Sequence, residues 1–134
     1  MAERGAPISD AELELLKVLW ASGPGTVSDV IRELKALRKK RAPAYTTVQT
    51  LLGRLVRKGF VTTEKSGRAF VFAPAVKQDE LIGRELQDVA DRVCDGLATP
   101  LMLALVERHR FSQEDVQAMR AMLDRMERES GGGR

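Results

Sequence analysis

Cysteine and histidine are almost missing: the 134 residues hold one of each, Cys94 and His109. A single cysteine cannot close an internal disulfide, and the two together fall short of the four Cys/His ligands a structural zinc site uses. Neither a metal site nor a cofactor is expected, and nothing supports Cys/His catalysis. Cys94 reads as a packing residue on an apolar seam, and His109 as a surface residue near a helix end. No apolar run approaches the ~18 residues that span a bilayer, so direct membrane insertion is not expected. The N-terminus Met1-Ala2-Glu3-Arg4-Gly5 lacks the basic-then-apolar order of a secretion signal, and the expected localisation is cytoplasmic. There is also no phosphate-cradling glycine loop and no pair of carboxylates at a recognisable site spacing. Scattered acids such as Asp88 and Asp91 fit the solvated side of a helix. An enzyme is not expected.

One further shortage is local. Between Glu33 and Glu64 there is no carboxylate side chain at all. The net charge of +3 hides this asymmetry: residues 1–76 carry 13 Lys+Arg against 7 Asp+Glu, and residues 77–134 carry 9 against 12. Within 29–75 the balance is 11 basic to 3 acidic, the footprint of a surface that meets a polyanion. The plain alternative, lysines and arginines that merely solvate helix faces, predicts mixed signs.

A mass of 14.8 kDa allows one domain, or a small domain with an appendage. Ser9-Asp10-Ala11-Glu12 is a capping box that opens a helix over about 10–21, with Leu13, Leu16, Leu19 and Trp20 as its apolar residues and Ser22-Gly23-Pro24-Gly25 as its stop. Thr26 and Asp29 repeat the cap. Val27, Val30, Ile31, Leu34 and Leu37 stripe a second helix that leaves through Arg38-Lys39-Lys40-Arg41. A third helix is predicted from about Ala44 to Lys58, ended by Gly59. Two β-rich runs, 60–65 and 68–73, then flank a Ser66-Gly67 turn and predict a hairpin closed by Pro74.

Beyond Pro74 everything reads as helix. Ile82, Leu86, Val89, Val93 and Leu97 alternate spacings of four and three, the seam of a helix with a partner, and Gly96 is expected to end it. Thr99-Pro100 reads as a cap and first-turn proline for a short apolar helix that includes Leu101 and Leu105 and that should be buried. Ser112 and Asp115 cap a last helix with Val116, Met119, Leu123 and Met126 at heptad spacing, before Gly131-Gly132-Gly133 frays. Two seam-bearing helices and an apolar one leave too much apolar surface for a monomer, so a homodimer is expected. The predicted fold is mainly α with a small β-hairpin: a winged helix-turn-helix domain over 1–75 and a helical dimerisation domain with a frayed tail over 76–134.

In a winged helix the third helix enters the major groove and the hairpin lies along the backbone. At 100° per residue Val48, Leu51, Leu52 and Leu55 turn inward, while Thr46, Thr50, Gly53 and Arg57 lie opposite, flanked by Thr47, Arg54 and Gln49. Thr46 and Thr47 fit phosphate at the helix N-terminus. Gln49 and Thr50 fit base edges, Gln suiting adenine and the Thr methyl thymine. Arg54 and Arg57 reach phosphate or guanine. Lys39, Lys40 and Arg41 lie at the helix entrance, and Lys65 and Arg68 beside the wing turn, as suppliers of affinity. Tyr45 sits near the inner side, equally suited to packing and to a phosphate contact.

Ile8-Ser9-Asp10-Ala11-Glu12, Val18-Leu19-Trp20, Thr26-Val27, the run from Ala44 to Leu52, Arg54-Leu55-Val56-Arg57-Lys58-Gly59 and Gly67-Arg68-Ala69-Phe70-Val71-Phe72 together resemble the penicillinase-repressor family, the BlaI/MecI/CopY type of bacterial regulator. The resemblance runs from about Ile8 to Met126. It implies a dimeric transcriptional repressor whose winged helices occupy a palindromic operator with TACA/TGTA-like half-sites. It also implies release by an inducing signal such as cleavage by a membrane-bound metallopeptidase sensor. The family's Asn-Phe scissile bond aligns with Ala104-Leu105, where neither residue is kept. Copper-responsive members carry a C-terminal cysteine cluster, which Cys94 alone does not supply. Two rival readings remain: an RNA-recognition module, which Arg68 to Phe72 faintly resembles but which needs four strands, and a winged helix that docks on protein without binding an operator.

Overall fold

Ser9 starts the first helix by a two-way exchange: its hydroxyl accepts from the Glu12 amide at 3.1 Å, and its own amide donates to Glu12 Oε1 at 2.9 Å. The computed structural model describes residues 5–38 and 41–132. Along them run α1 (Asp10–Ser22), α2 (Val27–Arg38), α3 (Tyr45–Lys58), β1 (Val61–Ser66), β2 (Ala69–Pro74), α4 (Gln78–Val93), α5 (Ala98–Arg108) and α6 (Gln113–Gly132). The protein is mainly helical with one antiparallel two-stranded hairpin, the expected class. Thr26 and Asp29 repeat the reciprocal cap on α2 at 2.9 and 3.1 Å. Gly59 ends α3 in the left-handed region at φ 86°, where a residue with a Cβ is strained, and this turns the chain so that Phe60 N reaches Leu55 O.

The first compact unit spans Met1–Arg84. Its core is built from one face of each helix: Leu15, Leu16 and Leu19 of α1, Val30 and Leu34 of α2, and Val48, Leu52 and Leu55 of α3 are all buried. Phe60, Val61 and Phe72 carry the core into the hairpin, and Val76 and Leu81 close it. Each such side chain stabilises by about 1.5–3 kcal/mol relative to exposure. Two polar ties hold the pieces in place. Gly25 and Phe72 exchange backbone hydrogen bonds of 3.0 and 2.8 Å, which fastens the hairpin to the loop between α1 and α2. The indole of Trp20 donates to the Val76 carbonyl at 2.9 Å.

The second compact unit spans Glu85–Arg134, so the division falls inside α4 rather than at the expected 75/76. The reason is Leu81, which belongs to the first core and draws the opening of α4 with it. α2 is described as far as Arg38, and Lys39 and Lys40 of its basic exit lie outside the described residues. Three local expectations need correction. α4 stops at Val93, before Gly96, because Asp95 and Gly96 both take positive φ and Gly96 N folds back onto Ala90 O at 2.9 Å. Leu97 therefore leaves the α4 seam and becomes the N-cap of α5; Thr99 and Pro100 fall inside the first turn, where a missing N–H costs no helical hydrogen bond. The apolar α5, expected to be buried, has no buried residue within the chain. Finally, α6 continues through Gly131 and Gly132 instead of fraying there.

Candidate nucleic-acid interface

Ala44 has no side chain with which to cap, so the amides opening α3 receive no acceptor from their N-cap, and no acid stands in the first turn. That end of the helix is locally positive. Its inner face is committed to the core through Val48, Leu52 and Leu55, with Leu51 packed at the margin. The helical period therefore turns Thr46, Thr47, Gln49, Thr50, Arg54 and Arg57 outward, and all six are exposed. Four of them, Thr46, Thr47, Thr50 and Arg54, line one shallow open depression together with Leu51. Hydroxyls and a guanidinium thus converge on a single concave strip. The absent side chain of Gly53 leaves room for Arg57 to fold back, with Nη1 3.7 Å from the place a Cβ would occupy.

On the hairpin, Lys65 is exposed on β1 and Arg68 is exposed within the two-residue turn Gly67-Arg68, which falls one residue later than the expected Ser66-Gly67 because Ser66 pairs with Ala69; Gly67 takes φ 64°. At the exit of α2, Arg38 is already engaged: its Nε donates to Glu14 Oε2 at 2.8 Å, and its Nη2 donates to Glu14 Oε1. The hydrogen bond from Arg38 holds the Glu14 carboxyl below its ordinary value, and the same contact raises the guanidinium. Lys39 and Lys40 lie outside the described residues; Arg41 is exposed. Tyr45 is 52% exposed, so its ring is not part of the buried core.

One structural residue of this region escaped the sequence reading. Lys58, the last residue of α3, does not face solvent with Arg54 and Arg57. Its ammonium donates to Glu12 Oε1 at 2.7 Å and to the Pro7 carbonyl at 2.9 Å. Glu12 is only 1% exposed, the sole buried charged residue among those described. Burial pushes its carboxyl up, but Lys58 and the Ser9 amide and hydroxyl outweigh it, and the net shift is downward. The available signal was the double duty of a capping-box acid on a core-facing helix.

In the C-terminal half, Ile82, Val93, Leu97, Leu105, Val116, Leu123 and Met126 are exposed within the chain, and Leu86, Val89, Leu101 and Met119 are half-buried. The buried positions of α4 are Leu81 and Ala90, so its seam is half-covered at Leu86 and Val89 and open at Ile82 and Val93.

Compared with known proteins, residues 8–125 match the penicillinase repressor family. The chain belongs to that family. It is a family of transcriptional repressors, not of enzymes. Relatives within it include the penicillinase repressor of Bacillus licheniformis, 32% identical over 87% of this chain and 89% of its own, and the methicillin resistance regulatory protein MecI of Staphylococcus aureus (strain N315), 26% identical over 88% and 94%. Among solved structures, the DNA binding domain of the repressor BlaI is 36% identical, covers 60% of this chain and 93% of its own, and superposes with a TM-score of 0.49. In this penicillinase-repressor family protein, Tyr45-Thr46-Thr47-Val48 and Arg54-Leu55-Val56-Arg57-Lys58 lie on α3, and Gly59 caps it.

Proposed function

We propose that this repressor binds double-stranded DNA as a homodimer, laying one α3 into the major groove at each half of a palindromic operator and so blocking access to a promoter. The observation that carries the reading is the outward face of α3: threonines, a glutamine and arginines, exposed and free of acid, with Thr46, Thr47, Thr50 and Arg54 drawn around one depression. Thr46 and Thr47 meet phosphate beside the opening amides of α3. Gln49 and Thr50 read base edges. Arg54 and Arg57 reach phosphate or guanine, while Lys39, Lys40, Arg41, Lys65 and Arg68 add attraction along the backbone. The names of the relatives, two of them regulators of antibiotic resistance, support the same role.

Dimerisation rests on the uncovered apolar residues of α4 to α6. Leaving that much apolar area in water opposes solubility, and a twofold partner presenting the same stripes covers it. An inducing signal then releases the DNA, and the favoured form is cleavage by a membrane-bound metallopeptidase sensor. The aligned bond, Ala104-Leu105, lies inside α5, and a cut there divides the dimerising helices. A sensor acting on it takes an Ala-Leu bond in place of Asn-Phe. A repressor acting in this way works in the cytoplasm. Selecting bound fragments from genomic DNA with the full chain tests the core of the proposal: enrichment of a dyad-symmetric sequence is expected, and recovery of no preferred fragment contradicts it.

A further inference from the structure

The wing has two unlike faces. Directly paired residues of an antiparallel hairpin share a face, and alternate residues of one strand do as well. The register pairs Lys65 with Phe70 and Thr63 with Phe72, so Thr63, Lys65, Phe70 and Phe72 stand on one side; Glu64 pairs with Val71 on the other. Phe72 roots the first side in the core, 8% exposed, whereas Phe70, one step nearer the tip, is 53% exposed. The only acid of the hairpin is therefore turned away from the face that carries a lysine and an open phenyl ring, and Arg68 stands two residues from that ring at the turn.

We infer that Phe70 is a DNA-contacting residue: its ring packs on the apolar faces of deoxyribose in the groove beside the wing, while Lys65 and Arg68 take the phosphates on either side. This rests on the DNA-binding reading and extends it to the one exposed aromatic of the hairpin. Along a duplex strand the charged phosphates alternate with apolar sugar faces, and a ring set between two cations matches that alternation. Apolar side chains are known to enter the minor groove, where in other proteins they wedge between base steps. Such a contact adds affinity without a counterion release, which separates it from the contribution of Lys65. The competing use of Phe70 is purely local: the ring covers the stem of Lys65 and favours the strand.

The test measures full-chain binding to a duplex selected from a random-sequence pool by the unsubstituted protein, across a range of salt, beside thermal melts of each variant. Phe70→Ala is expected to weaken binding about tenfold with the slope of log affinity against log salt unchanged. Lys65→Ala is expected to make that slope shallower by about one. Phe70→Thr, which keeps strand propensity without the ring, should share the loss of affinity; if it binds like the unsubstituted chain, or if both Phe70 variants do, the inference is overturned. Should the unsubstituted chain select no duplex while melting cooperatively, the DNA-binding reading itself fails. Phe70 variants that bind normally while Arg54→Ala does not leave that reading standing and remove only the role of Phe70.

Discussion

The ammonium of Lys58 lies 2.7 Å from a carboxylate oxygen of Glu12, and Glu12 is buried. One residue ends α3 and the other stands in the first turn of α1, so the pair pins the C-terminal end of the proposed recognition helix to the beginning of the fold. Glu12 also closes the capping box with Ser9, and one carboxylate therefore sets both the start of α1 and the seat of α3.

Lys58→Met strands the Glu12 charge in the core and is expected to lower unfolding stability by about 3 kcal/mol, since removing one partner of a buried pair leaves the other uncompensated. Chemical denaturation checks this. In Glu12→Gln/Lys58→Met the loss should be smaller, because no buried charge remains.

Acid should unfold the protein through the same groups. Burial raises the Glu12 carboxyl, but Lys58 and Ser9 bring it below its ordinary 4.5; Arg38 lowers Glu14, and the Thr26 amide lowers Asp29 below 3.8. A carboxyl lowered on folding binds protons more weakly in the native state than in the unfolded chain. Its contribution is complete above the unfolded value and disappears as pH falls through the folded one. Melting temperature should be level from neutrality to about pH 5 and decline below it. Glu12→Gln should flatten that decline; an unchanged acid profile in this variant contradicts the role given to Glu12.

Gly25→Ala tests how the wing is fastened. A Cβ there comes within 3.0 Å of Asp29 Cβ and 3.3 Å of Asp29 Oδ2, and so presses on the residue that caps α2, while the Gly25 backbone pairs with Phe72. Displacing the cap should destabilise by about 1 kcal/mol. Amide exchange should rise at Phe72, which donates to Gly25 O, relative to amides inside α3. Equal protection before and after substitution would show that the bridge does not hold the hairpin.

Leu105→Glu and Leu123→Glu put charge into the uncovered apolar residues of α5 and α6. Both side chains are exposed in the single chain, so the Met1–Arg84 unit should keep its fold. Sedimentation should report a dimer for the unsubstituted chain and a monomer for the double variant. A double variant that sediments as the parent does removes these residues from the dimer interface.

Much of the fold was legible because local rules agreed with one another. Both capping boxes and the Gly59 stop lie where residue type and spacing placed them, and the hairpin turn lies one residue beyond the expected Ser66-Gly67. The inward face of α3 was equally plain, since Val48, Leu52 and Leu55 recur at helical spacing, and the exposed face follows by subtraction. What escaped depends on tertiary contact. Nothing local marks Gly25 as the partner of Phe72, or Lys58 as a structural cation amid arginines of similar setting. Arg38 looked like one member of a basic run until Glu14, twenty-four positions away, engaged it. The break after Val93 was missed because Gly96 attracted the helix stop, although Asp95 already leaves the helical conformation. The burial of α5 was expected from composition alone, and composition does not say which chain covers a helix.

The most direct measurement is the affinity of the full chain and of its Arg54→Ala and Arg68→Ala variants for a selected duplex as salt is raised. If the acid-free face of α3 and the wing meet DNA, affinity falls steeply with salt, and each arginine variant binds more weakly with a shallower slope while melting like the parent. Affinity indifferent to salt, with both variants binding as tightly as the unsubstituted chain, would contradict it.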